Sequence, residues 1–328
     1  MNALRSFVAG GAGFIGSHLV ERLAELGPVT VYDNLSVGRR EFLEPHLERG
    51  TVSLVVGDLL DLDTLAPSLA GHDVVFHLAA NPEARWGLEN PRLDLEQGTL
   101  TTWNVLEAMR CTGTREIVFA SSGTVYGDTP EPRGELDLGH LPISLYAASK
   151  LAAESLVSAF VECFGLRAWI FRFGNVVGPR GTHGAILDFL YKLTQRGDEL
   201  EVLGDGCQAK PYVLVADVAD AILFARSHAH EALNVFNIAP PDVTSVRRIA
   251  ELCVAASPHP TAQIRTAGGE RGWRGDVPRS RLDPTRLAQL GWRVRHTSDE
   301  AVRAAVQALA PEVFAGRLAP PSRAARER

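Results

Sequence analysis

Tyr146 and Lys150 stand four residues apart in Tyr146-Ala147-Ala148-Ser149-Lys150. At that spacing the two side chains project from one face of a helix, one turn apart. An ammonium near a phenol favours the phenolate and lowers the phenol's pKa, which makes a base usable near neutral pH. Alone, such a pair is a common accident on a solvated helix face. Two further stretches give it a context. Gly10, Gly13 and Gly16 fit G-x-x-G-x-x-G, and Gly11, Gly13 and Gly16 fit G-x-G-x-x-G. Glycines there permit a tight turn and let the backbone approach a pyrophosphate seated on a helix N-terminus. Asp33 follows Gly13 by 20 residues and ends the next apolar run. A carboxylate there takes a ribose 2′-hydroxyl and repels a 2′-phosphate, so NAD is preferred to NADP, and Arg39 and Arg40 read as a solvated basic pair. Asp58 closes the third run, in reach of an adenine or in a plain turn. Ser121-Ser122-Gly123-Thr124 follows the fifth run, where a hydroxyl can hydrogen-bond a substrate oxygen and the base together.

These groups need a scaffold that brings strand ends to one edge. Apolar runs at Leu4 to Ala9, Val29 to Tyr32, Val52 to Val56, Val74 to Leu78, Ile117 to Ala120 and Arg167 to Phe173 alternate with helical patterns. The longest of these patterns are Pro91 to Arg110 and Pro142 to Phe164. The runs are continuously apolar, as strands covered on both faces are. The expected fold is α/β, a doubly wound parallel sheet of Rossmann type with a smaller C-terminal α/β substrate lobe. The expected division is a cofactor domain over 1–174 with returns near 212–240, a substrate lobe over 175–211 and 241–310, and a flexible tail over 311–328. Ile264 to Pro278 reads as mostly irregular.

The bulk properties narrow the function classes. A formal net charge of −6 argues against a broad nucleic-acid footprint. The four cysteines lie far apart without metal-type spacing and read as reduced thiols of a cytoplasmic protein. The ten histidines show no ligand spacing, so no metal is expected. No signal-peptide build and no apolar run of membrane-spanning length is expected.

In this order the motifs resemble the extended short-chain dehydrogenase/reductase family, and within it the nucleotide-sugar epimerases of the UDP-glucose 4-epimerase type. The likeness runs from Gly10 to about Trp292. It is carried by VAGGAGFIGSHL, VYDNLSVGRRE, VFHLAAN, FASSGTVYG, PISLYAASKLAAE, RFGNVVGPR, VLGDGCQAKPYVLVADVADA and RGWRGDVP. The resemblance implies that Gly10, Gly13, Phe14, Ile15 and Gly16 hold the pyrophosphate of NAD. It sets Asp33, Asn34 and Ser36 at the adenosine ribose, Asp58 and Leu59 at the adenine, and Leu78, Ala79 and Ala80 along the cofactor. Ser122 becomes the catalytic hydroxyl, Thr124 its neighbour at the sugar, Tyr146 the base, and Lys150 the ligand of the nicotinamide ribose. Asn175, Lys210 and Arg271 become the groups at the substrate diphosphate.

The implied reaction inverts a hydroxyl-bearing carbon, C4, of a nucleotide-diphosphate sugar such as UDP-glucose or UDP-galactose through a transient 4-keto sugar. The implied assembly is a homodimer formed through the two longest helices. Four positions depart from the family pattern. Gly98 replaces an asparagine near the nicotinamide, Gly174 replaces an aromatic, and Lys210 before Pro211-Tyr212 replaces an arginine; a tyrosine is missing near Ser280. Three rivals remain. A 4,6-dehydratase needs a carboxylate pair after Thr124, where Val125 stands instead. A UDP-uronate epimerase or decarboxylase needs cations or hydroxyls for a 6-carboxylate, for which Arg85, Arg180, Thr182 and His183 are the candidates. A non-catalytic NAD-binding sensor would tend to lose the tyrosine or lysine that this chain keeps.

Overall fold

The structure, a computed structural model, describes residues 3–129, 131–137 and 141–320. The first half alternates β1 (Ser6–Ala9), α1 (Phe14–Leu23), β2 (Val29–Asp33), α2 (Glu44–Glu48), β3 (Val52–Val56), α3 (Leu62–Leu69) and β4 (Val74–His77). It continues through α4 (Trp86–Glu89), α5 (Pro91–Asp94), α6 (Thr101–Thr112), β5 (Glu116–Ser122), α7 (Leu145–Phe164) and β6 (Arg167–Phe173). The second half holds β7 (Asn175–Val177), α8 (Ala185–Gln195), β8 (Glu199–Val202), β9 (Ala209–Lys210), β10 (Tyr212–Leu214), α9 (Val215–His228) and β11 (Leu233–Ile238). It ends with β12 (Thr244–Ser245), α10 (Val246–Ala255), β13 (Gln263–Thr266), α11 (Thr285–Gln289) and α12 (Ser298–Phe314).

Seven strands form the main sheet in the order β11-β6-β5-β4-β1-β2-β3, and every pair in it is parallel. The chain starts at β1 and winds outward in both directions, so the order reverses between β1 and β4 and leaves a crevice at their carboxyl ends. Side chains alternate across the sheet with the period of two that a strand imposes. Val8, Phe76, Val118 and Phe171 pack with Leu19, Leu23 and Ile222 of α1 and α9 on one face. Phe7, Val75, Ile117 and Ile170 pack with Leu65, Leu106 and Val157 of α3, α6 and α7 on the other. Each such side chain contributes about 1.5–3 kcal/mol when it leaves water, which holds both helical layers against the sheet.

The later elements build a second core. Leu187 and Leu190 of α8, Ile249 of α10, and Val302, Leu309 and Val313 of α12 pack together there. That packing carries α12 to Phe314, four residues into the segment expected as a flexible tail from 311 onward. Residues 321–328 of that expected tail lie outside the described residues. The segment read as irregular from Ile264 begins as a strand, because β13 pairs in parallel with β8. The helix expected over Pro91 to Arg110 is divided by a π-helical turn, Leu95–Leu100. Gly98 in that turn packs directly on α7, where a Cβ would overlap the Ser149 hydroxyl. The main-chain contact that this glycine allows depends on tertiary packing, so a period of 3.6 in the sequence does not reveal it. Among the described residues no helix is long and apolar enough to cross a membrane, and no group of His, Cys, Asp and Glu could hold a metal ion.

Candidate active site

A cleft of about 690 Å³ runs along the carboxyl ends of the sheet and into the second lobe. Its first half is built by the β1–α1 loop. Gly10 has φ +79°, and a Cβ on it would lie 2.6 Å from the Ala79 nitrogen, so only glycine lets this loop lie on the end of β4. A Cβ on Gly16 would overlap the Gly10 carbonyl. No side chain caps α1, which leaves its first amides and the positive end of its dipole at the cleft. Gly10, Gly13, Phe14, Ile15 and Gly16 all line it.

Asp33, only 8% exposed, ends β2 beside this loop. Its carboxylate accepts the Ala12 N–H at 3.0 Å and the Leu35 N–H at 2.9 Å. Burial pushes its pKa up, and these two donors pull it back. Asn34 donates to Asp58 at 3.3 Å and accepts from the Ser36 N–H at 3.1 Å and the Ser36 hydroxyl at 2.7 Å. Asp33, Asn34, Ser36, Asp58 and Leu59 line one end of the cleft, and Leu78, Ala79 and Ala80 line its floor. Arg39 and Arg40 do not line it; Arg39 sits 5.9 Å over the Phe42 ring and Arg40 pairs with Glu44 at 3.5 Å. An uncapped helix N-terminus, a bare glycine turn and a carboxylate at the end of β2 beside them fit a dinucleotide without a 2′-phosphate.

The candidate catalytic groups meet where this half joins the second lobe. Ser144 caps α7 by accepting the Ala147 N–H at 3.2 Å, and this fixes Tyr146 in the first turn. Lys150 follows one turn later, 3% exposed. Ser122 ends β5. Its oxygen accepts the Thr124 N–H at 3.2 Å and the Thr124 hydroxyl at 2.9 Å. With both acceptor positions filled, its one hydrogen is left for the Tyr146 phenol, to which it is hydrogen-bonded.

The charge states differ from the sequence expectation. The Tyr146 phenol is pushed up to about 12, chiefly by burial; the Ser122 bond acts downward and the Asp94 charge upward. Lys150 does not offset this in the protein alone, because its ammonium donates to the Ala120 carbonyl at 2.7 Å. Lys150 is itself pulled down to about 8 by burial, with the charges of Glu154 and Asp94 opposing. His77 sits behind it, fully buried; its Nε2 lies 3.0 Å from the Thr102 hydroxyl, and burial and Lys150 hold it neutral, down to about 3.

The second lobe supplies the opposite wall. Asn175 lines the cleft and is hydrogen-bonded to the buried Tyr212 phenol. Lys210 lines it too, with its ammonium 2.6 Å from Asp276. Arg271 is not among the lining residues; it donates to Asp128 at 2.5 Å and to the Asp276 carbonyl at 2.6 Å. Two of the departures from the family pattern answer each other. A Cβ on Gly174 would lie 2.7 Å from the Pro211 carbonyl, and that same carbonyl accepts the Asn175 N–H at 2.8 Å. Next to the Gly98 departure, Gln97 lines the cleft. Of the uronate candidates, Arg180 pairs with Glu21 at 2.5 Å and does not line the cleft, whereas Arg85, Thr182 and His183 do. Sequence reasoning missed Asn81, Glu83 and Asp188, which also line it. The one signal they gave was their place after a strand end and in the first turn of a helix.

The chain is similar to known proteins in sequence and in fold. The NAD dependent epimerase/dehydratase family profile matches residues 6–239. A UDP-glucose 4-epimerase of Mycolicibacterium smegmatis is 33% identical over 93% of this chain and 98% of its own length. A crystal structure of a UDP-galactose 4-epimerase superposes with a TM-score of 0.85 at 40% identity, covering 94% of this chain and 99% of that one. The Thermotoga maritima UDP-glucose 4-epimerase, solved with UDP-glucose, gives a TM-score of 0.84 at 30% identity over 94% of this chain and 100% of that one. With the profile spanning more than half of the chain and the relatives nearly all of it, this protein belongs to the NAD-dependent epimerase/dehydratase family.

Proposed function

We propose that the protein inverts C4 of a nucleotide-diphosphate hexose, interconverting UDP-glucose and UDP-galactose. The observation that carries this reading is the Ser122–Tyr146 hydrogen bond at the junction of the two halves of the cleft, with the fully buried Val125 after Thr124. A dehydratase would need a carboxylate there. Bound NAD would supply the hydride acceptance and return at C4. Asp33, the glycine loop and Lys150 are the groups that hold it. Tyr146 takes the proton of the C4 hydroxyl and gives it back, and Ser122 donates to the oxygen that carries negative charge at each stage. Burial raises the phenol, so the base needs added positive charge, which Lys150 and an oxidised nicotinamide supply together. Thr124 keeps Ser122 oriented. Asn175 and Lys210 take the diphosphate, Lys210 exchanging Asp276 for phosphate; Arg271 joins only by leaving Asp128.

A homodimer belongs to the same reading. Leu95, Leu100 and Trp103 beside α6, and Leu145 and Phe164 on α7, are 41–50% exposed and form an apolar surface that a second copy would cover. Four free thiols fit a cytoplasmic setting. The test is to incubate the protein with UDP-glucose or UDP-galactose and follow the anomeric proton signals. Approach to one common mixture from both sides, without net NADH, is the expected result. A 4-keto-6-deoxy product would make it a dehydratase, and tight NAD without turnover would make it a sensor.

A further inference from the structure

The loop after β4 and the first turn of α8 meet across the cleft in a charged cluster. The Arg85 guanidinium donates from Nη2 to Glu83 at 2.7 Å and to Asp188 at 2.9 Å. Its backbone N–H donates to the other Glu83 oxygen at 3.2 Å. Glu83 is held in place by Asn81, which accepts the Glu83 N–H at 3.1 Å and donates to the Glu83 carbonyl at 3.1 Å. Asn81 also donates to the buried Asp94 at 2.9 Å. Glu83, Arg85 and Asp188 line the same cleft as Ser122 and Tyr146, and their side chains are 14%, 35% and 30% exposed. One guanidinium thus stands between two carboxylates, and the cluster keeps a net negative charge. His183 on the same wall adds none, because burial holds its imidazole below the usual range.

We infer that Glu83 and Asp188, with Arg85 clamped between them, read the charge of the sugar: their oxygens accept hydroxyl hydrogens of a neutral hexose and turn away a uronate. The inference rests on the epimerase reading of this cleft and deepens it. A free guanidinium would grip a sugar carboxylate with two parallel hydrogen bonds. Here Arg85 already serves two carboxylates, and a third would meet two like charges at close range, which is a strong means of rejection. The lysines of the wall are committed as well. Lys192 donates to the Glu201 carbonyl at 3.0 Å, and Lys210 is bound to Asp276. A hydroxyl at C6 needs only an acceptor, and each carboxylate has lone pairs to spare after its bonds to Arg85.

The test titrates the NAD-loaded protein with UDP, UDP-glucose and UDP-glucuronate, in wild type, Glu83→Gln, Asp188→Asn and the double variant. Wild type is expected to bind UDP-glucose at least about tenfold more tightly than UDP-glucuronate, and the double variant to narrow that ratio by about tenfold. UDP lacks the sugar and reports whether the rest of the site is intact. Asp188→Asn, on the surface of a well-packed helix, keeps the test available if Glu83→Gln loosens its loop. A wild-type ratio near one, or a ratio unmoved in variants that still bind UDP, overturns the inference. Wild type that binds both sugars with the expected ratio yet fails to interconvert UDP-glucose and UDP-galactose overturns the epimerase reading instead.

Discussion

The Lys150 ammonium donates to the Ala120 carbonyl at 2.7 Å and stands 6.0 Å from the centroid of the Tyr146 ring. The lysine is therefore anchored to the end of β5, the strand that carries Ser122, and is not bonded to the phenol. That arrangement costs stability. The folded pKa, about 8, is below the ordinary 10.5, so the unfolded chain holds this proton more tightly. The resulting penalty is present in full below about pH 8 and is relieved as pH rises towards 10.5, and it amounts to roughly 3 kcal/mol at neutral pH.

Lys150→Met follows from this sign. The variant fills the same space without a charge and is expected to be more stable than wild type by about 1–3 kcal/mol at pH 7. The difference should shrink as pH climbs from about 8 to 10.5. Turnover should fall steeply because the phenol loses its cation. Denaturant melts at pH 7 and pH 10 measure the first effect. Equal or lower stability at pH 7 would mean that Glu154 and Asp94 offset the burial completely.

Tyr146→Phe removes the proposed base and leaves the glycine loop and Asp33 untouched. NAD should remain bound, and turnover should drop by about 10²–10⁴-fold. Ser122→Ala removes the hydrogen bond that lowers the Tyr146 pKa, so the ascending limb of the pH–rate profile, which follows deprotonation of the phenol, should move to higher pH with a smaller loss of rate. A profile unmoved in Ser122→Ala would separate the serine from the base.

The Arg172–Glu154 pair lies beneath these groups, with side chains 3% and 6% exposed and N–O at 2.6 Å. Ser121 also donates to Glu154 at 2.5 Å, and Arg172 reaches the Tyr126 hydroxyl at 2.8 Å and the Glu135 carbonyl at 3.0 Å. The pair thus ties α7, one turn past Lys150, to the end of β5, one residue before Ser122. Arg172→Met leaves a buried carboxylate without its cation and should cost about 3–5 kcal/mol, read as a fall in the denaturation midpoint. Replacing both charges by apolar residues should cost less than either change alone, because no unpaired charge remains buried.

Local signals made much of the site legible. The glycine loop, Asp33, Ser122 and Tyr146/Lys150 each follow a strand end or open a helix, where residue type and spacing carry the meaning. Pairings over long chain distances were not legible. Arg85 meets Asp188 across 103 positions, Lys210 meets Asp276 across 66, and Arg271 meets Asp128 across 143. A sequence shows that these residues are cations but not that carboxylates already hold them. The π-turn at Leu95–Leu100 was hidden for a related reason, since it exists to bring Gly98 against Ser149 on another helix.

Gly174 gives the sharpest test of such compensation. Reading along the chain, it replaces an aromatic; in space, its missing side chain admits the Pro211 carbonyl, which fixes Asn175 through a 2.8 Å hydrogen bond. Gly174→Phe restores the family pattern at one position only. Its Cβ would lie 2.7 Å from the Pro211 oxygen, so the strand ends at β7 and β10 must separate. Overpacking of this kind costs about 1–3 kcal/mol. Asn175 and Lys210 flank that contact, so UDP-sugar affinity should weaken along with stability while NAD affinity, set on the far side of the cleft, stays unchanged. Thermal melts and separate titrations with NAD and UDP-glucose measure the three effects. A Gly174→Phe protein with wild-type stability and wild-type UDP-glucose affinity would show that the two departures are independent.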